Sequence, residues 1–243
     1  LTVKISVVVP AFNEERLLFG TLCSIRAALT AFEARGWMSE LIVCDNNSTD
    51  RTAEIARSAG AVVVFEPINQ ISRARNAGAA QADGDWLVFV DADSQPSLEL
   101  FADTAAAIAC GRCIAGGCTV MLDTDQLAAR LFVSVWNSIS RICGWAAGSF
   151  VFCEASAFRQ VGGFSQEIYA AEEIDLSRRL KRLARERGRA LVILHRHPLA
   201  TSGRKARLYA PREYVVFLLR MLMSGGRVLR ERDACYPWYD GRR

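Results

Sequence analysis

Four short runs of β-branched and aliphatic residues recur near the start of the chain: Val3–Val9, Leu41–Cys44, Ala61–Phe65 and Trp86–Val90. Their apolar residues are consecutive rather than alternating, the pattern of strands covered on both faces. Segments with helical spacing separate them. Glu14–Ala34 places Leu18, Leu22, Ile25 and Leu29 on one face. Asp50–Ser58 follows the capping turn Asn46-Asn47-Ser48-Thr49, and Ser72–Ala80 is a short third helix. Strand and helix repeated three times and closed by a fourth strand predict an α/β fold. The sheet should be mostly parallel with helices on both faces. In such sheets the ligand crevice lies outside the carboxyl ends of the strands. Asn13, Asp45, Asp91 and Asp93 all follow strand ends, so three polar clusters point to one site.

The later pattern is looser. Ser97–Ala109, Asp125–Ile142 and Glu172–Arg187 read as helices; Arg112–Leu122, Ser149–Cys153 and Ala190–His195 read as strands. No repeat or low-complexity linker interrupts them. A chain of 243 residues suits one large domain. We read a single domain over 1–210, made of a nucleotide-binding half (1–94) and an acceptor-binding half (95–210). A basic, amphipathic helical tail follows over 211–243.

Charge is unevenly spread. Residues 1–120 carry 9 basic and 14 acidic side chains, 121–177 carry 3 and 7, and 178–243 carry 18 and 5. An acidic body followed by a basic end suits an anionic ligand or surface. In the tail, Tyr214, Val215, Phe217, Leu218, Leu219, Leu222 and Leu229 run beside Arg212, Arg220, Arg227 and Arg230. That stripe is either a helix packed on the body or an interfacial helix on an anionic membrane. No apolar run approaches the length of a membrane span. Several of the eight cysteines, such as Cys44, sit inside apolar runs and read as buried free thiols. With no secretory signal in view, the expected location is cytoplasmic, at the inner face of a membrane if the tail lies on one. Cys110, Cys113 and Cys118 lack the second pair that structural zinc requires.

Four clusters can carry chemistry. Asp91-Ala92-Asp93 sets two carboxylates directly after a buried strand. Their repulsion is relieved by a hard divalent cation, which commonly shares such a site with substrate phosphates; a plain strand-end turn is the alternative. Glu172, Glu173 and Asp175 open a helix, where acids suit the macrodipole and one can act as a general base. Arg73 and Arg75 on the third helix can each reach a phosphate or face solvent. His195 and His197 follow a strand and precede Thr201-Ser202-Gly203-Arg204-Lys205. Either histidine is a metal ligand or polar surface, and the Arg-Lys pair can clamp a diphosphate.

Together these residues resemble family-two glycosyltransferases, nucleotide-sugar enzymes of the GT-A fold. The resemblance runs from about Ile5 to Lys205. It rests on Val7-Val8-Val9-Pro10-Ala11-Phe12-Asn13-Glu14-Glu15, on Val43 to Thr52, on Arg73-Ala74-Arg75-Asn76-Ala77-Gly78, on Phe89 to Asp93, and on Val161-Gly162-Gly163-Phe164 with Glu172 to Leu176. It implies a Rossmann-like, mostly parallel sheet flanked by helices. Pro10, Ala11, Asn13 and Glu14 would line the nucleotide pocket, with Asp45 on the base. Arg73 would approach the nucleotide or diphosphate. Asp91 would approach ribose or metal, and Asp93 would coordinate Mn²⁺ or Mg²⁺. The residues themselves add His195 as a third metal ligand and Arg204 with Lys205 as the diphosphate clamp. Glu173 stands where the family commonly has Asp and would be the base, with Glu172 and Asp175 as alternatives. The implied reaction moves a sugar from a UDP- or GDP-sugar to an unknown acceptor hydroxyl, with inversion, in a setting such as cell-envelope polysaccharide synthesis. No nucleic-acid partner is expected.

Three other readings fit the sequence less well. A phosphatase-like hydrolase using Asp91 as nucleophile and Asp93 as acid normally opens its domain with that motif, whereas three strand-helix units precede it here. A catalytically inert nucleotide-sugar-binding protein would not need the acids. A dinucleotide-dependent dehydrogenase needs a glycine-rich first turn; Pro10-Ala11-Phe12-Asn13 stands there instead.

Overall fold

A computed structural model describes residues 2–204, 220, 227–235 and 239. The first half follows the expected alternation: β1 (Lys4–Ala11), α1 (Leu18–Glu33), β2 (Met38–Asp45), α2 (Thr52–Ser58), β3 (Val62–Phe65), α3 (Ile71–Gln81) and β4 (Trp86–Val90). The second half adds β5 (Ser94–Gln95), α4 (Leu98–Ala109), β6 (Cys113–Asp123), α5 (Leu127–Cys143), β7 (Phe150–Glu154), α6 (Ala155–Gln160), α7 (Glu172–Glu186) and β8 (Ala190–Ser202). Short 3-10 turns follow at Arg227–Arg230 and Asp233–Cys235. The remainder of the expected 211–243 tail lies outside the described residues, apart from Arg220 and Tyr239.

All eight strands join one sheet in the order β3-β2-β1-β4-β7-β6-β8-β5. β1 pairs in parallel with β2 and β4, β2 with β3, and β6 with β8. β7 runs antiparallel between β4 and β6. The consecutive apolar residues of β1 are explained by two cores. Val7 and Val9 enter one cluster with Leu18, Leu22 and Phe101. Val8 enters a second cluster with Phe89, Leu176 and Leu180 on the opposite face. Helices α1 and α4 cover the first face; α6 and α7 cover the second.

Two boundaries differ most from the sequence expectation. Helix α1 begins at Leu18 rather than Glu14 because the intervening loop is laced to its neighbour. The Glu14 amide donates to Thr52 Oγ1 (2.8 Å) and the Glu15 amide to Asp50 Oδ2 (3.1 Å). Strand β8 does not end at His195. It bulges between Leu194 and Leu199, then resumes pairing with β6 and β5 through Ser202. A proline lacks the ladder donor, so Pro198 is confined to this interruption. The extension carries the following loop to the carboxyl end of β4.

Close packing at β6 depends on glycine. A Cβ at Gly116 would strike the Phe152 ring and lie 2.6 Å from the Val192 carbonyl oxygen. Gly116→Ala is therefore expected to destabilise the protein by about 1–3 kcal/mol. Gly20→Ala, where nothing lies within 4 Å of the added carbon, serves as the control. Urea unfolding of both variants checks this; equal midpoints would refute the tight-packing account.

All eight cysteines are free, and Cys44, Cys113, Cys118, Cys153 and Cys235 are buried. Burial pushes the Cys44 thiol up to about 12, so these groups act as apolar packing.

Candidate active site

The loop after β1 and the loop after β2 form one wall. Asn13 adopts positive φ (52°), a conformation that Asn tolerates better than most residues. Its amide donates to Ser48 Oγ (3.0 Å) and its Oδ1 accepts from the Thr49 amide (2.8 Å). Asp45 is buried and accepts the Ser48 amide at Oδ1 (3.0 Å). Asn46 donates to the carbonyls of Glu66 (3.1 Å) and Ile68 (2.7 Å). It also accepts the Gln70 amide (2.9 Å). The Asn-rich turn thus ties the ends of β1, β2 and β3 together.

A cavity of about 80 Å³ opens at these strand ends. Pro10, Ala11, Glu14, Asp91, Asp93 and Arg204 line it, as do Asn46, Asn69 and Tyr239. Asn13 and Asp45, bonded to the loops as described above, are not among the lining residues. Arg73 and His195 are not among the lining residues. His195 is exposed in the β8 bulge, and neighbouring His197 Nδ1 contacts Asp103 Oδ2 (3.0 Å). Among the described residues no group of three or more His, Cys, Asp or Glu side chains is gathered to hold a metal. The expected set Asp91, Asp93 and His195 is therefore not assembled by the chain itself. Lys205 lies outside the described residues.

Arg204 reaches the cavity because β8 continues past its bulge. Ser202 donates its amide to the Asp93 carbonyl (3.1 Å), and the Ser94 and Thr201 hydroxyls lie 3.0 Å apart. The guanidinium then forms a two-pronged pair with Glu14 (2.7 and 3.0 Å) and approaches Asp93 Oδ2 (3.6 Å). Planar forks of this kind also suit phosphate.

Arg75, not Arg73, is the arginine that α3 points inward. Gly78 on the same face rests against Val8, bringing the helix close to the sheet. Arg75 is 1% exposed. It donates to Glu172 Oε1 (2.6 Å), Asp91 Oδ1 (2.8 Å) and the Gly148 carbonyl (2.7 Å). Its guanidinium stacks over the Phe164 ring (5.1 Å). Asn76, the next residue, clamps Phe164 by accepting its amide (2.9 Å) and donating to its carbonyl (2.8 Å). Gly162 and Gly163 make the turn into this clamp with φ of 81° and 68°, conformations natural to glycine. Three sequence clusters that look separate along the chain are thus one assembly.

The electrostatics follow from counting charges. One guanidinium faces the three carboxyls of Asp91, Glu172 and Glu173. Burial works against the Arg75 charge, but these acids outweigh it and hold the group more firmly protonated than in water. Glu173 is pushed up to about 8, first by burial and then by the Glu172 charge, with Arg75 pulling the other way. A Cβ on Gly148 would lie 3.3 Å from Glu173 Cδ and 3.4 Å from Arg75 Nη2, so this glycine gives both groups room. Asp175 is engaged elsewhere, pairing with Arg179 one turn along α7 (2.5 Å). Glu172 is committed to Arg75. Among the described residues, Glu173 is the one of the three acids opening α7 that accepts no hydrogen bond from a cationic side chain. Asn46, Tyr239 and Gly148 escape sequence reading. A signal existed for Arg75: it sits three residues before Gly78, the small residue that marks the packing face of α3.

Comparison with known proteins bears on the family and the fold. The family model described as Glycosyl transferase family 2 matches residues 6–131, just over half of the chain. An uncharacterized glycosyltransferase of Mycobacterium tuberculosis (strain H37Rv) is 35% identical over 114 residues, covering 44% of this chain and 48% of that protein. The chain thus spans about half the length of this curated relative. Among solved structures, a mannosyltransferase from Pyrobaculum calidifontis in complex with GDP-Man and Mn²⁺ superposes with a TM-score of 0.66 at 19% identity. That alignment covers 97% of this chain and 65% of that one. Glucosyl-3-phosphoglycerate synthase from M. tuberculosis, in complex with Mn²⁺, UDP and glucosyl-3-phosphoglycerate, gives a TM-score of 0.62 at 21% identity, covering 91% and 77%. These structures share the GT-A fold with this chain. The domain-sized match to the family model, laid over the strand-end loops described above, shows that the chain belongs to glycosyl transferase family 2.

Proposed function

We propose that the protein transfers a sugar from a nucleoside-diphosphate sugar to an acceptor hydroxyl, with Glu173 as the general base. One observation carries the reading: Asp91, at the end of β4, lines the strand-end cavity together with Asp93 and also pairs with Arg75 of the Arg75-Glu172-Glu173 cluster. Nucleotide would enter along Pro10, Ala11 and Asn46, while Asn13 and Asp45 fix the loops. Arg204 would exchange its pairing with Glu14 and Asp93 for the diphosphate. Neighbouring GT-A proteins crystallised with UDP or GDP-Man and Mn²⁺ support a nucleotide-sugar donor.

The residues fit a divalent cation in one specific way. Asp91 and Asp93 supply hard carboxylate oxygens, the ligand class that Mg²⁺ and Mn²⁺ prefer. Two carboxylates, one already paired with Arg75, are too few to hold the ion alone, so the diphosphate must complete the set. Such an ion would neutralise charge building on the leaving diphosphate. The chain's own contribution is orientation and proton removal. As the acceptor oxygen bonds to the anomeric carbon, the bond from that carbon to the diphosphate oxygen breaks and the hydroxyl proton passes to Glu173. A single displacement of this kind inverts the anomeric centre. A hydrolase reading gains nothing from the geometry, because the Asp91 carboxylate is held by Arg75 rather than presented as a nucleophile.

Calorimetric titration with UDP and with GDP, each with and without Mn²⁺, tests the reading. Binding of one nucleotide should strengthen with the metal, and Asp93→Ala should abolish that gain, a change of at least about tenfold from losing one of two ligands. Unchanged affinity in Asp93→Ala would remove the metal assignment. Failure of both nucleotides to bind would remove the donor assignment.

A further inference from the structure

Helix α5 is turned inside out. Its sequence contains no acidic residue, and Leu127, Leu131, Phe132, Val135, Ile139 and Ile142 line one stripe along its length. These six side chains are between 39% and 82% exposed. A helix of a globular protein normally buries its apolar stripe. Here the inward side is held partly by polar contacts. Asn137 accepts the Val120 amide (3.0 Å) and donates to the Val120 carbonyl (2.9 Å), and Ser140 donates to the Trp145 carbonyl (2.5 Å). Val133 and Trp136 pack on the core beside them.

The border of the exposed stripe is basic. Arg130 and Arg141 are eleven residues apart, which puts them on the same edge of the helix about three turns from each other. At the C-terminal end, Lys181 donates to the Cys143 carbonyl (2.7 Å), and Arg178 lies over the Trp145 ring (5.0 Å). Asp123 and Asp125 precede the helix at its other end. The helix has 17 residues, about 25 Å at the rise of an α-helix. No helix among the described residues is long and apolar enough to cross a membrane.

We propose that α5 is a membrane-docking helix that lies flat on an anionic lipid surface, its stripe in the acyl boundary and its arginines at the headgroups. An apolar stripe with a cationic edge is the composition such helices share. A second copy of the chain fits less well. Two-fold packing of antiparallel α5 helices would set Arg130 of one copy beside Arg141 of the other, a like-charge contact. The expected membrane contact through 211–243 falls mostly outside the described residues; α5 is a separate surface, on residues the structure does describe. The same helix forms one wall of a cavity of about 680 Å³ whose lining includes Asp93. The docked face and the candidate active site therefore share one element. The proposal does not depend on the donor assignment.

Co-sedimentation of the intact chain with vesicles of phosphatidylcholine alone, and of phosphatidylcholine with phosphatidylglycerol, is the test. The chain should pellet with the anionic vesicles. Leu131→Glu combined with Val135→Glu should lower its partition coefficient by at least about tenfold without moving the unfolding midpoint, because both sites are exposed. Arg130→Gln with Arg141→Gln should weaken binding to anionic vesicles by about tenfold and flatten its salt dependence. Three outcomes would overturn the proposal: no pelleting of the intact chain, pelleting unaffected by the Leu131 and Val135 changes, or a dimer that those changes dissociate without any vesicle binding.

Discussion

Arg75→Met is expected to cost about 3–5 kcal/mol of folding stability at neutral pH, the typical result of stripping a buried charge cluster of its counter-ion. Arg75 is inaccessible to solvent and binds two carboxylates and a backbone carbonyl at once. Without it, Asp91, Glu172 and Glu173 face one another with no cation, and the Gly148 carbonyl loses its donor. The loss should shrink at low pH, because protonated carboxyls leave no buried charge without a partner. Arg75→Lys should fall between wild type and Met, since one ammonium cannot span three acceptors set for a planar fork. Urea denaturation of the three proteins at neutral and acidic pH measures this. A loss below about 1 kcal/mol, in the range of exposed pairs, would mean that water reaches the cluster and the burial argument fails.

The first half of the fold was readable because each strand is a continuous apolar run and each strand end is polar. Trp86–Val90 is the strand both in the sequence pattern and in the structure, with Asp91 and Asp93 directly after it. What was hidden depended on contacts between distant residues. Gly78 is the one local mark of the α3 face that carries Arg75; that this face is buried follows from Gly78 seating α3 on Val8 and from Phe164 supplying a stacking face. Nothing local shows that β8 resumes beyond Pro198, because the pairing that continues it comes from β5 and β6. That continuation is what delivers Arg204 to Glu14, 190 residues away in sequence. Asp175, the alternative to Glu173 in sequence, is set apart by its pairing with Arg179 one turn beyond it.

The inward position of Arg75 also sets the expectation for the base. Glu173→Gln should keep donor binding within a few-fold of wild type while lowering the transfer rate by about 10²- to 10⁴-fold, the usual contribution of a positioned general base. The substitution keeps the shape against Gly148 and removes only the ability to take a proton. It should not cost stability. The folded carboxyl is raised to about 8 from an ordinary 4.5, so the ionised group penalises the native state increasingly as pH climbs between those values, and glutamine removes that penalty. In the wild type the same shift makes the carboxylate scarce at acidic pH. The rate at saturating substrates should therefore rise with pH and level off above about 8, whereas residual transfer by Glu173→Gln should lack that rise. Steady-state kinetics across pH, paired with calorimetry of donor binding, separates the possibilities. Transfer at the wild-type rate would sink Glu173 as the base, and a wild-type pH profile retained by the variant would assign the titration to another group.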